Sequence, residues 1–237
     1  MQALPVAALS ALLLAAAPTS GMAQGVPVPP QLERLSEGEV DARLRLLEER
    51  LDAGRFSGQV WQQGWTGFYA LTTLTSAAGA VAADDADGRV ANLVGAVKSI
   101  GALAQLITDP LPARLGAAPM GEPAPDRRLV RLALGERQLA ENAARARSRF
   151  SLQRHLEGVT TNLIGGAVIW AFGDSGDAIT STLVGIAVGE AQIWSQPWRA
   201  EGDLAAYRTA FPTTTVQRAP GWELRPMGTG VQLALRF

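Results

Sequence analysis

Two long stretches of the chain, residues 55–111 and 149–198, are poor in charge and rich in glycine and alanine, and a short acidic run breaks each near its middle. They also align with each other. Arg55-Phe56-Ser57 recurs as Arg149-Phe150-Ser151, and Gly64 and Thr66 recur as Gly158 and Thr160, all at a shift of 94. Across the acidic run the shift becomes 90, matching Asp84 and Asp87 to Asp174 and Asp177 and Leu93-Val94-Gly95 to Leu183-Val184-Gly185. It then falls to 87, where Ala104-Gln105-Leu106 and Pro110 match Ala191-Gln192-Ile193 and Pro197. The second copy has therefore lost about one turn, ~3.6 residues, on each side of the acidic run. Paired trimming of this kind keeps the ends of an antiparallel hairpin level, so it reads as two helical hairpins.

Each hairpin follows a polar segment. Ser36 and Glu39 have capping-box spacing, and Val40, Leu44, Leu47 and Leu51 recur at helical intervals, giving an amphipathic helix over residues 36–53. Residues 127–149 form a second, Arg-rich helix with Leu129, Leu132 and Leu139 on its apolar side. At the C-terminus, residues 201–210 read as a short helix, 213–217 as a β-branched strand, and 231–237 as a strict alternation with Val231, Leu233, Leu235 and Phe237 on one face. The expected fold is mainly α: two repeated Gly-rich helical hairpins, each preceded by an amphipathic helix, plus a small C-terminal β hairpin.

The expected organisation is a signal peptide over residues 1–23, a Pro-rich spacer over 24–34, a first repeat over 35–111, a linker over 112–125, a second repeat over 126–198 and a C-terminal segment over 199–237. The signal rests on the apolar run 9–17 and on Gly21-Met22-Ala23 as a small-x-small cleavage site, although no Lys or Arg precedes the run. Nine prolines in 18–30 and 110–125 punctuate the spacer and the linker region, and proline disfavours helix in the residue before it. There is no cysteine, which removes disulfides, thiolate metal sites and a cysteine nucleophile. The formal charge of −1 gives no global attraction to nucleic acid.

The return arms carry Ala91, Gly95 and Ser99, and Ser181, Gly185 and Gly189, each set at i, i+4, i+8 and hence on one helix face. Small residues so placed let helix backbones approach closely, which favours association in lipid and also permits tight crossings in a soluble bundle. In this the hairpins resemble exported glycine-zipper membrane proteins. That resemblance implies lipid contact and self-association through the small-residue faces. The final alternating segment resembles the β-signal of outer-membrane barrel proteins, but the rest of the chain has no series of ~10-residue alternating strands. A single-chain barrel is thereby excluded.

Residues 56–83 contain no charge for 28 positions, enough to cross a bilayer, whereas residues 158–172 of the second hairpin span only ~22 Å of a ~30 Å hydrocarbon core. Five aspartates lie at the hairpin tips and the arginines gather at the bases, with Trp61, Trp65, Trp194 and Trp198 on the base side as a candidate interfacial belt. After export the bases start outside the inner membrane, which contravenes the positive-inside rule and points to the outer membrane or periplasm. Lys98 and Glu190 are single charges inside the return arms, and counting back from Pro110 and Pro197 leaves them about five residues apart, so they form a candidate intramembrane pair. His155, the one histidine, aligns with Trp61 and reads as a packing residue. Asp85-Ala86-Asp87-Gly88 lacks the downstream glutamate of a calcium loop, and Asp87 and Asp177 read as helix caps.

No acid, base and nucleophile set converges. The expectation is therefore a non-enzymatic, membrane-associated structural or assembly protein without cofactor or metal, with lipid and possible copies of itself as partners. The competing reading is a soluble periplasmic bundle that binds an apolar ligand or protein partner.

Overall fold

The computed structural model describes residues 28–212 and the two strands at the C-terminus; the expected signal peptide, and residues 213–217, lie outside the described residues. The fold is mainly helical. Helix α1 runs Glu37–Ala82, α2 Ala86–Thr108, α3 Arg128–Ser148, α4 Leu152–Phe172, α5 Ser175–Ser195 and α6 Arg199–Ala210. Strands β1 (Gly221–Met227) and β2 (Gly230–Arg236) pair antiparallel, from Gly221 opposite Arg236 to Met227 opposite Gly230. The segment pairing with the terminal alternation is 221–227.

The polar helix and the first arm are one element. Ser36 caps α1 by accepting from the Glu39 amide at 3.3 Å, and the helix continues through Gly54 and Arg55 without interruption for 46 residues. Glycine within a helix costs only about 1 kcal/mol, and no proline stands nearby to stop the ladder. In the second half the corresponding positions do break: α3 ends at Ser148 and α4 begins at Leu152, with Arg149, Phe150 and Ser151 between them.

The lower half of α1 packs with α3 and α6 into a base. Its core contains Val40, Leu44, Leu47 and Leu51 from α1, Leu132, Leu139 and Ala143 from α3, Leu204 and Tyr207 from α6, and Leu32 and Met120 from the connecting segments. Leu47 and Leu132 are 0 % exposed. Two expectations change here. The end of the Pro-rich spacer is not a free tether, because Leu32 is buried in this core and its amide bonds the Pro29 carbonyl at 2.9 Å. The linker is likewise packed: its 3-10 turn Pro112–Leu115 crosses α1 so closely that a Cβ on Gly58 would lie 2.8 Å from the Arg114 amide nitrogen, and the turn Ala118–Met120 packs on α3, where a Cβ on Gly135 would lie 3.0 Å from the Met120 side chain. Gly116 and Gly121 supply the positive φ angles, 58° and 77°, that end these turns.

Ion pairs enclose the base. Arg43 reaches Glu39 at 2.8 Å and Glu136 at 3.2 Å, Arg131 reaches Glu48 at 2.5 Å, Arg50 and Arg199 share Asp203, and Arg128 binds Asp41. Tyr207 donates to Glu136 at 2.5 Å, and burial together with that carboxylate raises the phenol well above its ordinary pKa.

Candidate functional site

Beyond the base, the upper part of α1 and helices α2, α4 and α5 form two antiparallel hairpins laid side by side. Their composition is turned outward. Among the described arm residues, Ile169 is the large aliphatic side chain with no exposure, while Leu74, Val81, Leu93, Val97, Ile164, Trp170, Phe172, Ile179 and Leu183 are all more than half exposed. Toward the base the hairpins enclose a small apolar cluster of Trp61, Tyr69, Leu106 and Leu111; farther out, Ile169 apart, what lies between the helices is mostly small or polar. Asn92 sits over Gly79, Ser76 against Gly95, Thr182 over Gly166 and Asn162 over Gly185. A Cβ at Gly166 or Gly185 would overlap the side chain above it, and one at Gly79 would stand 2.6 Å from Asn92 Oδ1.

Most hydroxyl and amide donors of the arms are satisfied locally. Thr72, Thr73, Thr75, Thr108, Thr161 and Thr182 each donate a hydroxyl proton to the carbonyl four residues earlier, at 2.7 to 3.0 Å. Asn92 and Asn162 do the same through their amides, to Gly88 and Gly158. These bonds satisfy the donors of the hydroxyls and amides within their own helices, without a solvent or neighbouring-helix partner.

The six small residues singled out from the sequence do not form one interface. Gly95 faces Ser76 of its own hairpin, and Gly185 faces Asn162 of its own hairpin and the Lys98 side chain of the other. A Cβ on Gly189 would meet nothing within 4 Å. Ser181 accepts from Lys98, while Ala91 and Ser99 are half-buried. The sequence reading missed Gly79, Gly165 and Gly166 on the outgoing arms; the Gly165-Gly166 doublet inside an apolar run was the signal for the last two.

Lys98 and Glu190 do not pair. Lys98 Nζ donates to Ser181, to its carbonyl at 3.2 Å and to its hydroxyl at 3.4 Å, whereas Glu190 lies with Oε1 and Oε2 both 2.9 Å from His155 Nδ1. Glu190 follows Ser181 by nine residues, or ~13.5 Å of helix, which puts the carboxylate beyond lysine's reach. The residue count from the prolines failed because the connections after the two return arms differ. The caps also lie two and three residues earlier than expected: Asp85 bonds the Gly88 amide at 2.7 Å and Asp174 bonds the Gly176 and Asp177 amides, while Asp87 and Asp177 lie within the first turns.

One level of the molecule divides base from hairpins. There Trp61 and Trp65 donate to Ser195 Oγ at 3.2 and 3.0 Å, Tyr69 donates to Gln192 at 2.9 Å, and Arg145 and Arg154 converge on Asp109. Phe150 stacks edge-on with Trp194 at 5.4 Å, and the Arg149 guanidinium lies 4.2 Å above Phe150 while donating to the Gln196 carbonyl. Burial lowers the Arg149 pKa, the Glu201 charge opposing. Of the four expected belt tryptophans, Trp61 is buried and Trp65 half-buried, whereas Trp194 and Trp198 are exposed. Among the described ion pairs none lies farther from the base than His155–Glu190. His155 thus belongs to this boundary, held by Glu190, which also accepts from Trp194 Nε1 at 3.1 Å.

Helices α4 and α5 each have 21 residues and so measure ~31 Å, because α4 includes the polar turn that the shorter arm estimate left out. Among the described residues α2 is the helix long and apolar enough by composition to cross a bilayer, and only 11 % of its most apolar window is buried. Between α4 and α5 runs an open apolar groove of ≈ 440 Å³, floored by Gly166 and Ala178 and walled by Leu163, Trp170, Ile179 and Leu183. Among the described residues no cluster of three or more metal-ligating side chains occurs. No protein-family model matches the chain, and neither a curated protein nor a solved structure matches it.

Proposed function

We propose that this chain is an exported, non-enzymatic structural or assembly protein of the outer membrane, whose paired hairpins are two copies of one unit seated in lipid and whose base stays in water. The reading rests chiefly on the outward-turned hairpins. In water, expulsion of apolar surface drives large aliphatic and aromatic side chains inward. Here they cover the outside, and glycine, alanine, serine, threonine and asparagine hold the helices together, the composition favoured where lipid supplies the apolar surroundings. The aromatic and arginine-rich level between hairpins and base is placed where an interface would lie. The aspartate-capped tips are then the polar far ends.

Since Gly95, Gly165, Gly166 and Gly185 are occupied within one chain, self-association would use the outer faces of the hairpins, not these glycines. The α4–α5 groove favours a second reading, a soluble periplasmic bundle that holds an apolar ligand or protein partner there. Fractionation with carbonate and urea extraction separates the two. Retention of the mature chain in the membrane fraction is expected; its release into the soluble fraction would sink the lipid reading.

A further inference from the structure

The two hairpins are not attached to the base in the same way. The first grows directly from the base as the continuation of α1, and Gln62 ties its far end by donating to the Leu106 carbonyl at 2.9 Å and accepting from the Leu111 amide at 2.8 Å. The second is joined through two non-helical breaks, at residues 149–151 and 196–198. Above the boundary level, the polar contact between the hairpins among the described residues is Lys98 with Ser181.

That contact is built into the packing. The Lys98 stem passes Gly165 of α4, where a Cβ would come within 2.9 Å of Lys98 Cδ, and its ammonium arrives over Gly185 of α5, where a Cβ would come within 2.8 Å of Nζ. Two glycines on two helices thus make room for one side chain of a third. Beside it Asn162 is 7 % exposed, and its Oδ1 has no hydrogen-bond partner although it lies over the same Gly185. An ammonium has three protons, and the two contacts to Ser181, at 3.2 and 3.4 Å, leave one directed elsewhere. Half-buried among the helices, the ammonium has the Ser181 carbonyl and hydroxyl as its hydrogen-bond partners among the described residues.

We propose that Lys98 is the pin that docks the second hairpin onto the first, and that the second hairpin is a unit able to swing about its two breaks when the pin is withdrawn. The inference concerns the packing of the hairpins and holds whether lipid or a protein partner covers them. The absence of native cysteine makes the test direct. At the tips, a Cβ on Gly173 would lie 3.5 Å from Asp87 Cα, so Asp87→Cys with Gly173→Cys reports tip-to-tip docking of the hairpins. Within the first hairpin, a Cβ on Gly95 would lie 3.6 Å from Ser76 Cβ, inside the ~3.5–4.5 Å range of disulfides, so Ser76→Cys with Gly95→Cys serves as control. Both pairs are oxidised in the full chain, with Lys98 present and with Lys98→Met. The expected result is tip cross-linking slowed by about tenfold in Lys98→Met, as loss of one charge-assisted bond allows, with the control pair unchanged. Unchanged tip cross-linking would overturn the proposal. So would equal loss at both pairs, which would make Lys98 a support of the whole bundle and not a pin between its halves.

Discussion

The base and the hairpins solve the same packing problem with opposite materials. In the base, leucines from three helices fill the interior and arginine–carboxylate pairs cover it, as expected of a domain folded in water. In the outer part of the hairpins, beyond the cluster of Tyr69 and Leu106 and apart from Ile169, small and polar residues fill most of the interior and large apolar ones the exterior, although the two parts share the single helix α1. The same backbone ladder therefore runs from one regime into the other within 46 residues. The difference teaches that α1 is continuous because helix formation is indifferent to what surrounds the side chains, while the choice of side chains records the surroundings.

The sharpest way to break this contrast is truncation on both sides of it. Leu47→Ala or Leu132→Ala should cost about 2–5 kcal/mol, because each leaves a cavity in a closed core. Leu74→Ala, on the exposed face of α1, should change stability in detergent by no more than ~0.5 kcal/mol. Denaturant unfolding of the three variants checks this, and equal losses would erase the distinction between the regions. Next in size is the glycine contrast inside the hairpins. Gly166→Val should destabilise by roughly 1–3 kcal/mol through overlap with Thr182. Gly189→Ala should instead stabilise by about 0.5–1 kcal/mol through helix propensity, since its site is open. Thermal melts would show opposite signs; the same sign for both would mean that the hairpins do not pack as described.

The smallest effect belongs to the base. Tyr207 has a raised pKa in the folded state, so folding favours its protonated form. That stability is fully present below the ordinary tyrosine value of about 10 and declines as pH rises through and beyond it. Tyr207→Phe should cost about 1 kcal/mol at neutral pH and flatten the alkaline decline. Melting temperature against pH from neutrality to about pH 11 measures both; an unchanged alkaline slope in the variant would assign the decline to other groups.

How much of this was legible in the sequence varied with the kind of information needed. The hairpin turns could be read, since an acidic run between two charge-poor stretches is a local pattern, and α2, α4 and α5 begin or end within a few residues of it. The base leucines could be read from their 3.6 period. Lateral register between the hairpins could not, because it depends on how the connections at residues 109–127 and 196–198 bend, and no residue count supplies that. Hence Lys98 was assigned to Glu190 when its partner is Ser181, and Glu190 in fact meets His155. The glycine faces were half legible: Gly95 and Gly185 do lie in close contacts, but their partners stand on the outgoing arms, so a stripe on one helix did not name its opposite. The break between α3 and α4, set against the uninterrupted α1, was hidden because Arg-Phe-Ser stands at both places.

The central claim is that the outer faces of the hairpins contact lipid while the base contacts water. Single cysteines at Leu74, Val97 and Leu183 on the hairpins, and at Arg137 on the base, can each carry a nitroxide in this cysteine-free chain. Power-saturation measurements in phospholipid vesicles then compare collisions with oxygen, which partitions into lipid, against a water-soluble nickel complex. The account predicts oxygen-dominated relaxation at the three hairpin sites and nickel-dominated relaxation at Arg137. Nickel-dominated relaxation at all four would place the hairpins in water and contradict it.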